Sequence, residues 1–359
     1  MTSLYGPMQV GRCKLRHRIA MAPMSRCRAD NDGVPLHLME QYYGQRASVP
    51  GTLIISESTC VSKAAGGRYI NAPGIFSAAQ IEGWKNVTRA VHDKGSFIFA
   101  QLWAVGRAGR QEVLDVQGIE MISSSAIAIK EGNPIPRPLT NEEIEMLIRD
   151  YAVAARNAME AGFDGVEVHA ANGYLIDQFL QDTCNHRADL WGGSIDNRAR
   201  LCLEVLAEVI EAVGADRTGV RLSPYSPYQG MGMKDTEEQF SYLLRKLRPL
   251  SLAYLHLVHS RIHGVHESLD FVIEQWDKDS PLLLNGGYDR KQAEEAVQMD
   301  RKVAIAFGRD FVSNPDLPFR LKENLDLNAY DPSSFYAAQE PSGYIDYPFH
   351  KRFGGMHEI

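Results

Sequence analysis

The chain has 359 residues, 44% hydrophobic and 23% charged, with 38 Lys and Arg against 45 Asp and Glu for a net charge of −7. Those proportions are those of a soluble globular protein; they exclude wholesale disorder, collagen-like and mucin-like architectures, and the basic footprint of a nucleic-acid binder. Cys13, Cys27, Cys60, Cys184 and Cys202 are odd in number, widely spaced and without a C-x-x-C pair, so neither a disulfide framework nor a zinc ribbon is expected.

In chain order, short β-branched or apolar runs alternate with longer amphipathic ones. Strands are expected at Arg18–Met24, Thr52–Ser56, Phe97–Leu102, Gly165–His169, Thr218–Leu222, Tyr254–Val258, Pro281–Leu284 and Val303–Phe307. Several are continuous hydrophobic runs, as parallel strands covered on both faces should be. Helical periodicity falls at Ala79–His92, Asn141–Ala161, Asp196–Val213, Asp235–Leu247 and Lys291–Met299. Asn141 opens its helix as a capping residue followed by early acids. Strands followed by helices favour an α/β fold of the (β/α)8 TIM-barrel type over an open doubly wound sheet. Residues 104–140, rich in Gly, Pro and polar groups, are too long for an ordinary loop. They read as an insertion after strand 3, over the mouth of a single-domain barrel spanning residues 1–359. The first 18 residues hold no apolar signal-like stretch, and no run of about 18 apolar residues occurs. A cytoplasmic protein without membrane or nucleic-acid partners is expected.

No G-x-G-x-x-G follows a strand, and Gly230-Met231-Gly232 is only a fragment of one. No G-x-x-x-x-G-K-[ST] occurs either, so a dinucleotide-wrapping or P-loop site is disfavoured. His256, His259, His263 and His266 invite a metal reading. However, residues three apart at a strand end face opposite sides, and no H-E-x-x-H accompanies them; no metal is expected. The stretch Gly165-Val-Glu-Val-His169-Ala-Ala-Asn172-Gly-Tyr174 runs from a strand into a helix. In a parallel barrel that is a loop at the catalytic face. A helical turn after His169 would put Asn172 on the same side. Two neutral donors aimed at one point suit a carbonyl oxygen that gains negative charge. Tyr174, protonated at neutral pH with an ordinary pKa of about 10, can act as a general acid.

From these residues onward the sequence resembles the Old Yellow Enzyme family of FMN-dependent ene-reductases. The likeness is carried by Arg18-Ile-Ala-Met-Ala-Pro-Met-Ser-Arg26, Asn71-Ala-Pro-Gly-Ile75, Gln101-Leu-Trp103 and His169-Ala-Ala-Asn172-Gly-Tyr174. Trp191-Gly-Gly-Ser-Ile-Asp-Asn-Arg198, Arg221-Leu-Ser-Pro224, Phe307-Gly-Arg309 and Asn314-Pro-Asp-Leu317 continue it. The details are most similar to fungal members, including the ergot-alkaloid enal reductases.

The resemblance implies tightly bound, non-covalent FMN, NAD(P)H as hydride donor, and ping-pong reduction of an α,β-unsaturated aldehyde or ketone by a monomer or homodimer. It assigns Pro23, Met24 and Ser25 to the flavin ring, Gln101 to its pyrimidine edge, and Arg221 to the side where reduced flavin carries charge. Gly286, Gly287, Gly308 and Arg309 match the phosphate site, and Ser58 lies near the flavin. Trp103, Tyr69 and Tyr336 match aromatic positions on the substrate side. His169 and Asn172 would hold the carbonyl oxygen and Tyr174 would supply the proton. Two positions depart from the family: Ser25 replaces a common Thr, and Ser58 a common Gly or Ala. The alternative is a redox-neutral isomerase or desaturase; in the alkaloid branch isomerisation goes with Phe in place of the tyrosine acid, so Tyr174 favours net reduction.

Overall fold

The computed structural model describes residues 3–260, 268–299 and 301–353. An antiparallel hairpin, Met8–Val10 with Cys13–Leu15, precedes eight barrel strands. These are β1 (Ile19–Met21), β2 (Leu53–Ile55), β3 (Phe97–Trp103), β4 (Gly165–Ala170), β5 (Thr218–Leu222), β6 (Tyr254–Val258), β7 (Leu282–Asn285) and β8 (Val303–Phe307). Each pairs in parallel with the next, and β8 pairs with β1, so the ring closes and leaves no barrel edge. Side chains alternate accordingly. Leu53 and Ile55 of β2, like Ala304 and Ala306 of β8, belong to the inner cluster, while Ile54, Val303 and Ile305 face the helices. The hairpin's Met8, Val10, Cys13 and Leu15 pack into that inner cluster with Leu53, Phe99 and Leu283.

All eight expected strands form. The first stops at Met21 rather than Met24 because Pro23 has no N–H for the ladder. The helices Ala78–His92, Asn141–Glu160, Ile195–Val213, Thr236–Leu247 and Arg290–Ala296 lie where periodicity put them, to within a few residues. One detail is corrected: Thr140, not Asn141, is the cap. Its hydroxyl accepts from the Glu143 N–H and the Glu143 carboxylate returns a bond to the Thr140 N–H. The helix His37–Arg46 escaped the sequence reading. Its buried side is made of Met39, Tyr42, Tyr43, Gly44 and Arg46, which is not an apolar stripe.

Residues 104–140 form a short turn at Gly106–Ala108, a helix at Gln111–Gln117, and a two-residue pairing of Ile122–Ser123 with Arg137–Pro138. Buried Arg107 ties this segment to the loop after β5. Its guanidinium donates to the carbonyls of Ile127 and Ala128 (3.2 and 3.3 Å) and of Gln229 and Gly230 (3.2 and 3.1 Å). Among the described residues, no helix is long and apolar enough to cross a membrane.

Candidate active site

A cavity of about 690 Å³ opens where the barrel strands end. Pro23, Met24 and Ser25 reach it after β1, Ser58 after β2, and His169 from β4 with Asn172 and Tyr174 just beyond. Arg221 comes from β5, Gly287 follows β7, Gly308 and Arg309 follow β8, and Tyr69 and Tyr336 complete the wall. Three residues matched by the sequence stand off the wall. Gln101 is wholly buried behind Ser58, whose hydroxyl donates to Gln101 Oε1 at 2.7 Å. Trp103 lies behind Tyr174, edge-on to its ring at 5.0 Å. Gly286 is packed under His259, so closely that a Cβ there would lie 2.6 Å from the His259 Cβ.

His169 and Arg221 are direct neighbours in the β4–β5 register. Burial, then the charge of Arg221 and the nearby His256, hold the His169 pKa well below the usual imidazole range, so the ring is neutral. Its Nδ1 is buried and has no hydrogen-bond partner among the described residues. The turn that follows is not the right-handed helical turn expected from spacing. Asn172 and Gly173 are left-handed (φ +59° and +71°), a conformation that Asn and Gly tolerate best. The Asn172 N–H donates to Ser223 Oγ at 2.7 Å, and the Gly173 N–H to Asp177 Oδ2 at 2.8 Å. The reversal still delivers all three groups: the His169 and Tyr174 rings meet at 5.0 Å, and Asn172 shares their cavity. Burial raises the Tyr174 pKa, opposed by the Arg68 guanidinium 5.7 Å from its ring, so the hydroxyl keeps its proton. Sequence reasoning missed Arg68; a lone loop arginine carries no signal.

A buried chain of polar contacts supports this side. Gln101 Nε2 donates to Glu167 Oε1 at 2.7 Å, and His256 Nδ1 lies 2.7 Å from Glu167 Oε2. Burial pushes the Glu167 carboxyl up, but His256, Arg221 and Gln101 outweigh it and leave it below its ordinary value. That places His256 in a structural pair, and His259 bonds Tyr288; His263 and His266 lie outside the described residues. Arg221 Nη2 donates to Asn285 Oδ1 at 2.9 Å, and Asn285 in turn donates to the Ala306 carbonyl at 2.7 Å.

The loop holding Met24 and Ser25 is fixed from beneath. Buried Glu57 accepts from the N–H groups of Arg26 and Cys27, both at 3.0 Å. Arg26 and Arg28 then donate to the carbonyls of Ser334, Phe335, Glu340 and Gly343, and Tyr344 stacks on Tyr42 at 4.0 Å. This brings Tyr336 onto Tyr69, ring on ring at 5.2 Å. At the other end, Gly287 and Gly308 line the cavity without side chains, and Arg309 adds a cation.

The model of the NADH:flavin oxidoreductase / NADH oxidase family matches residues 3–328. The chain belongs to that family. This flavin oxidoreductase is 54% identical to the chanoclavine-I aldehyde reductase fgaOx3 of Penicillium roqueforti, with 98% of each chain covered. Among solved structures it is similar to morphinone reductase (TM-score 0.91, 40% identity, 97% and 96% of the chains covered). It is also similar to the old yellow enzyme homologue from Zymomonas mobilis (TM-score 0.88, 40% identity, 96% and 99% covered). Its cofactor is FMN and its hydride donor NAD(P)H. It reduces the C=C bond of α,β-unsaturated aldehydes or ketones. The cavity fits the flavin: it is lined by two guanidinium groups, Arg221 and Arg309, by the side-chain-free Gly287 and Gly308, and by a neutral imidazole beside a protonated tyrosine.

Proposed function

We propose that His169 and Asn172 bind the carbonyl oxygen of an enal or enone and that Tyr174 protonates its α-carbon. The neutral ring of His169, which lines the same cavity as Asn172 and meets the Tyr174 ring at 5.0 Å, is the observation that carries this reading. Bound FMN would supply the hydride chemistry of a ping-pong cycle, with NAD(P)H as the donor. Residues holding it would be Pro23, Met24, Ser25, Ser58, Gln101, Arg221, Gly286, Gly287, Gly308 and Arg309. Each oxygen-binding donor acts where negative charge develops and contributes about 10²–10³ in rate. Because His169 donates without changing charge, no proton has to leave it during the reaction. Tyr69, Tyr336 and Trp103 border the substrate, the last through the Tyr174 ring. Residues 104–140 set how far a large substrate extends, since Ile129 packs against the cluster of Cys60, Trp103, Val105 and Ala108 on which Tyr69 and Tyr174 also rest.

The likeness to chanoclavine-I aldehyde reductase supports an unsaturated aldehyde from fungal secondary metabolism as the substrate. We infer a cytoplasmic location and a monomeric or homodimeric state. The test is the visible spectrum of the purified protein under anaerobic NADPH: the oxidised-flavin band should bleach, and cyclohexenone should restore it. A band that persists would refute reduction and favour a redox-neutral isomerase. Deuterated NADPH should leave one deuterium per turnover in the product.

A further inference from the structure

The end of the cavity assigned to phosphate holds a residue that neither the fold nor the reaction explains. His259 follows β6 directly, and its backbone N–H donates to the Asn285 carbonyl at 2.7 Å. That bond presses its Cβ against Gly286, while its ring lies half-buried on the cavity wall with Gly287, Gly308 and Arg309. Its Nε2 is 3.0 Å from the Tyr288 hydroxyl, and the two rings meet edge-on at 5.8 Å. Tyr288 lines the same wall.

Counting protons shows what such a pair offers. Burial pushes the Tyr288 pKa up to about 12, so its hydroxyl stays protonated. Burial also lowers His259, against the opposing charge of Asp270, so the ring is neutral and carries one N–H. Two protons are therefore shared by the pair and one is used in the bond between them. If Tyr288 donates to Nε2, the N–H at Nδ1 is left over; if Nε2 donates to the oxygen, the phenol O–H is left over. Either way one donor remains. Asp289 and Asp310 share this wall and offer only acceptors, and the Asp289 carboxylate is turned to the Gln292 N–H at 2.8 Å as a helix cap. A phosphate accepts only, so a neutral donor there complements Arg309 without adding to the surrounding charge.

We propose that the His259–Tyr288 pair is a phosphate-binding element that donates its spare proton in a hydrogen bond to the FMN phosphate. The inference rests on the assignment of Gly286, Gly287, Gly308 and Arg309 to that phosphate. The test compares FMN with riboflavin, which lacks the phosphate, on full-length protein stripped of flavin, with binding read from flavin fluorescence.

In the double variant His259→Phe/Tyr288→Phe, which keeps both rings and removes both donors, the preference for FMN over riboflavin should fall about 10- to 100-fold. Riboflavin affinity should stay within about twofold of wild type, which also shows that the variant folds. Either single variant keeps one donor and should fall between wild type and the double. An unchanged preference in the double variant overturns the proposal, and so does a parallel loss for both ligands, which would mean packing alone. Arg309→Leu separates the two levels. If it leaves the preference unchanged, the phosphate end itself is misassigned. If it lowers the preference while the double variant does not, only the His259–Tyr288 inference fails.

Discussion

Tyr174→Phe isolates the proposed proton donor. The substitution removes one oxygen and keeps the ring, so the edge-on contacts with Trp103 and His169, both at 5.0 Å, survive. Stability should change by less than about 1 kcal/mol. The chemical cost depends on whether anything can replace the acid. Loss of a general acid costs about 10²–10⁴ in rate, the upper end where water is excluded. Tyr174 is only partly buried, on a cavity wall open enough to admit water. The expected loss is therefore about 10²–10³, or about 3–4 kcal/mol of barrier at 1.36 kcal/mol per decade.

Stopped-flow spectroscopy separates the halves of the cycle: bleaching by NADPH should match wild type, while recovery with cyclohexenone should slow by that factor. The pH profile gives an independent check. His169 stays neutral well below its ordinary range and Tyr174 stays protonated above its own. Wild-type recovery should thus be flat over roughly pH 7–9. Recovery of the Phe variant at the wild-type rate would refute the role of Tyr174.

Asn172→Gly should keep the left-handed turn (φ +59°) yet lose the side-chain donor, slowing enone reduction about 10²–10³-fold. Asn172→Ala should add about 1 kcal/mol of backbone strain, seen as a lower Tm than the Gly variant. Burial pushes His17 down to about 4 from 6.5, so the unfolded chain binds more protons between those values. Stability attributable to His17 is complete above pH 6.5 and falls by about 3 kcal/mol on acidification to pH 4. His17→Gln should flatten that limb in urea titrations. Thr140→Ala should cost about 1 kcal/mol by breaking the reciprocal cap with Glu143, measured as a shift in urea midpoint.

The barrel was legible because parallel strands covered on both faces leave continuous runs such as Val303–Phe307, and the long helices show a 3.6-residue stripe. The helix His37–Arg46 was not, because Arg46 is buried through hydrogen bonds to distant carbonyls, including Tyr344 at 2.9 Å. No local pattern announces such partners. At the site, His169, Asn172 and Tyr174 were readable as residue types, but the turn joining them was not. Spacing suggested a right-handed helix, whereas Ser223 and Asp177 stabilise a left-handed reversal from outside the segment. Nothing in the sequence indicated what His259 touches. Its run of histidines was weighed only as a metal site and set aside, while its actual neighbours, Gly286 and Tyr288, come from the next strand's loop.

The contacts of Arg26 and Arg28 with residues 334–343 have a consequence for how the protein is made. The loop bearing Met24 and Ser25 leaves the ribosome well before the carbonyls that hold its arginines, which are synthesised roughly 300 residues later. At about 5–20 residues per second, that is some 15–60 s of translation. During that interval, two arginines destined for burial wait in solvent and Tyr336 has not yet reached Tyr69. The complete pocket is thus a late product of synthesis, and flavin capture in its final form follows the arrival of the segment around Tyr344.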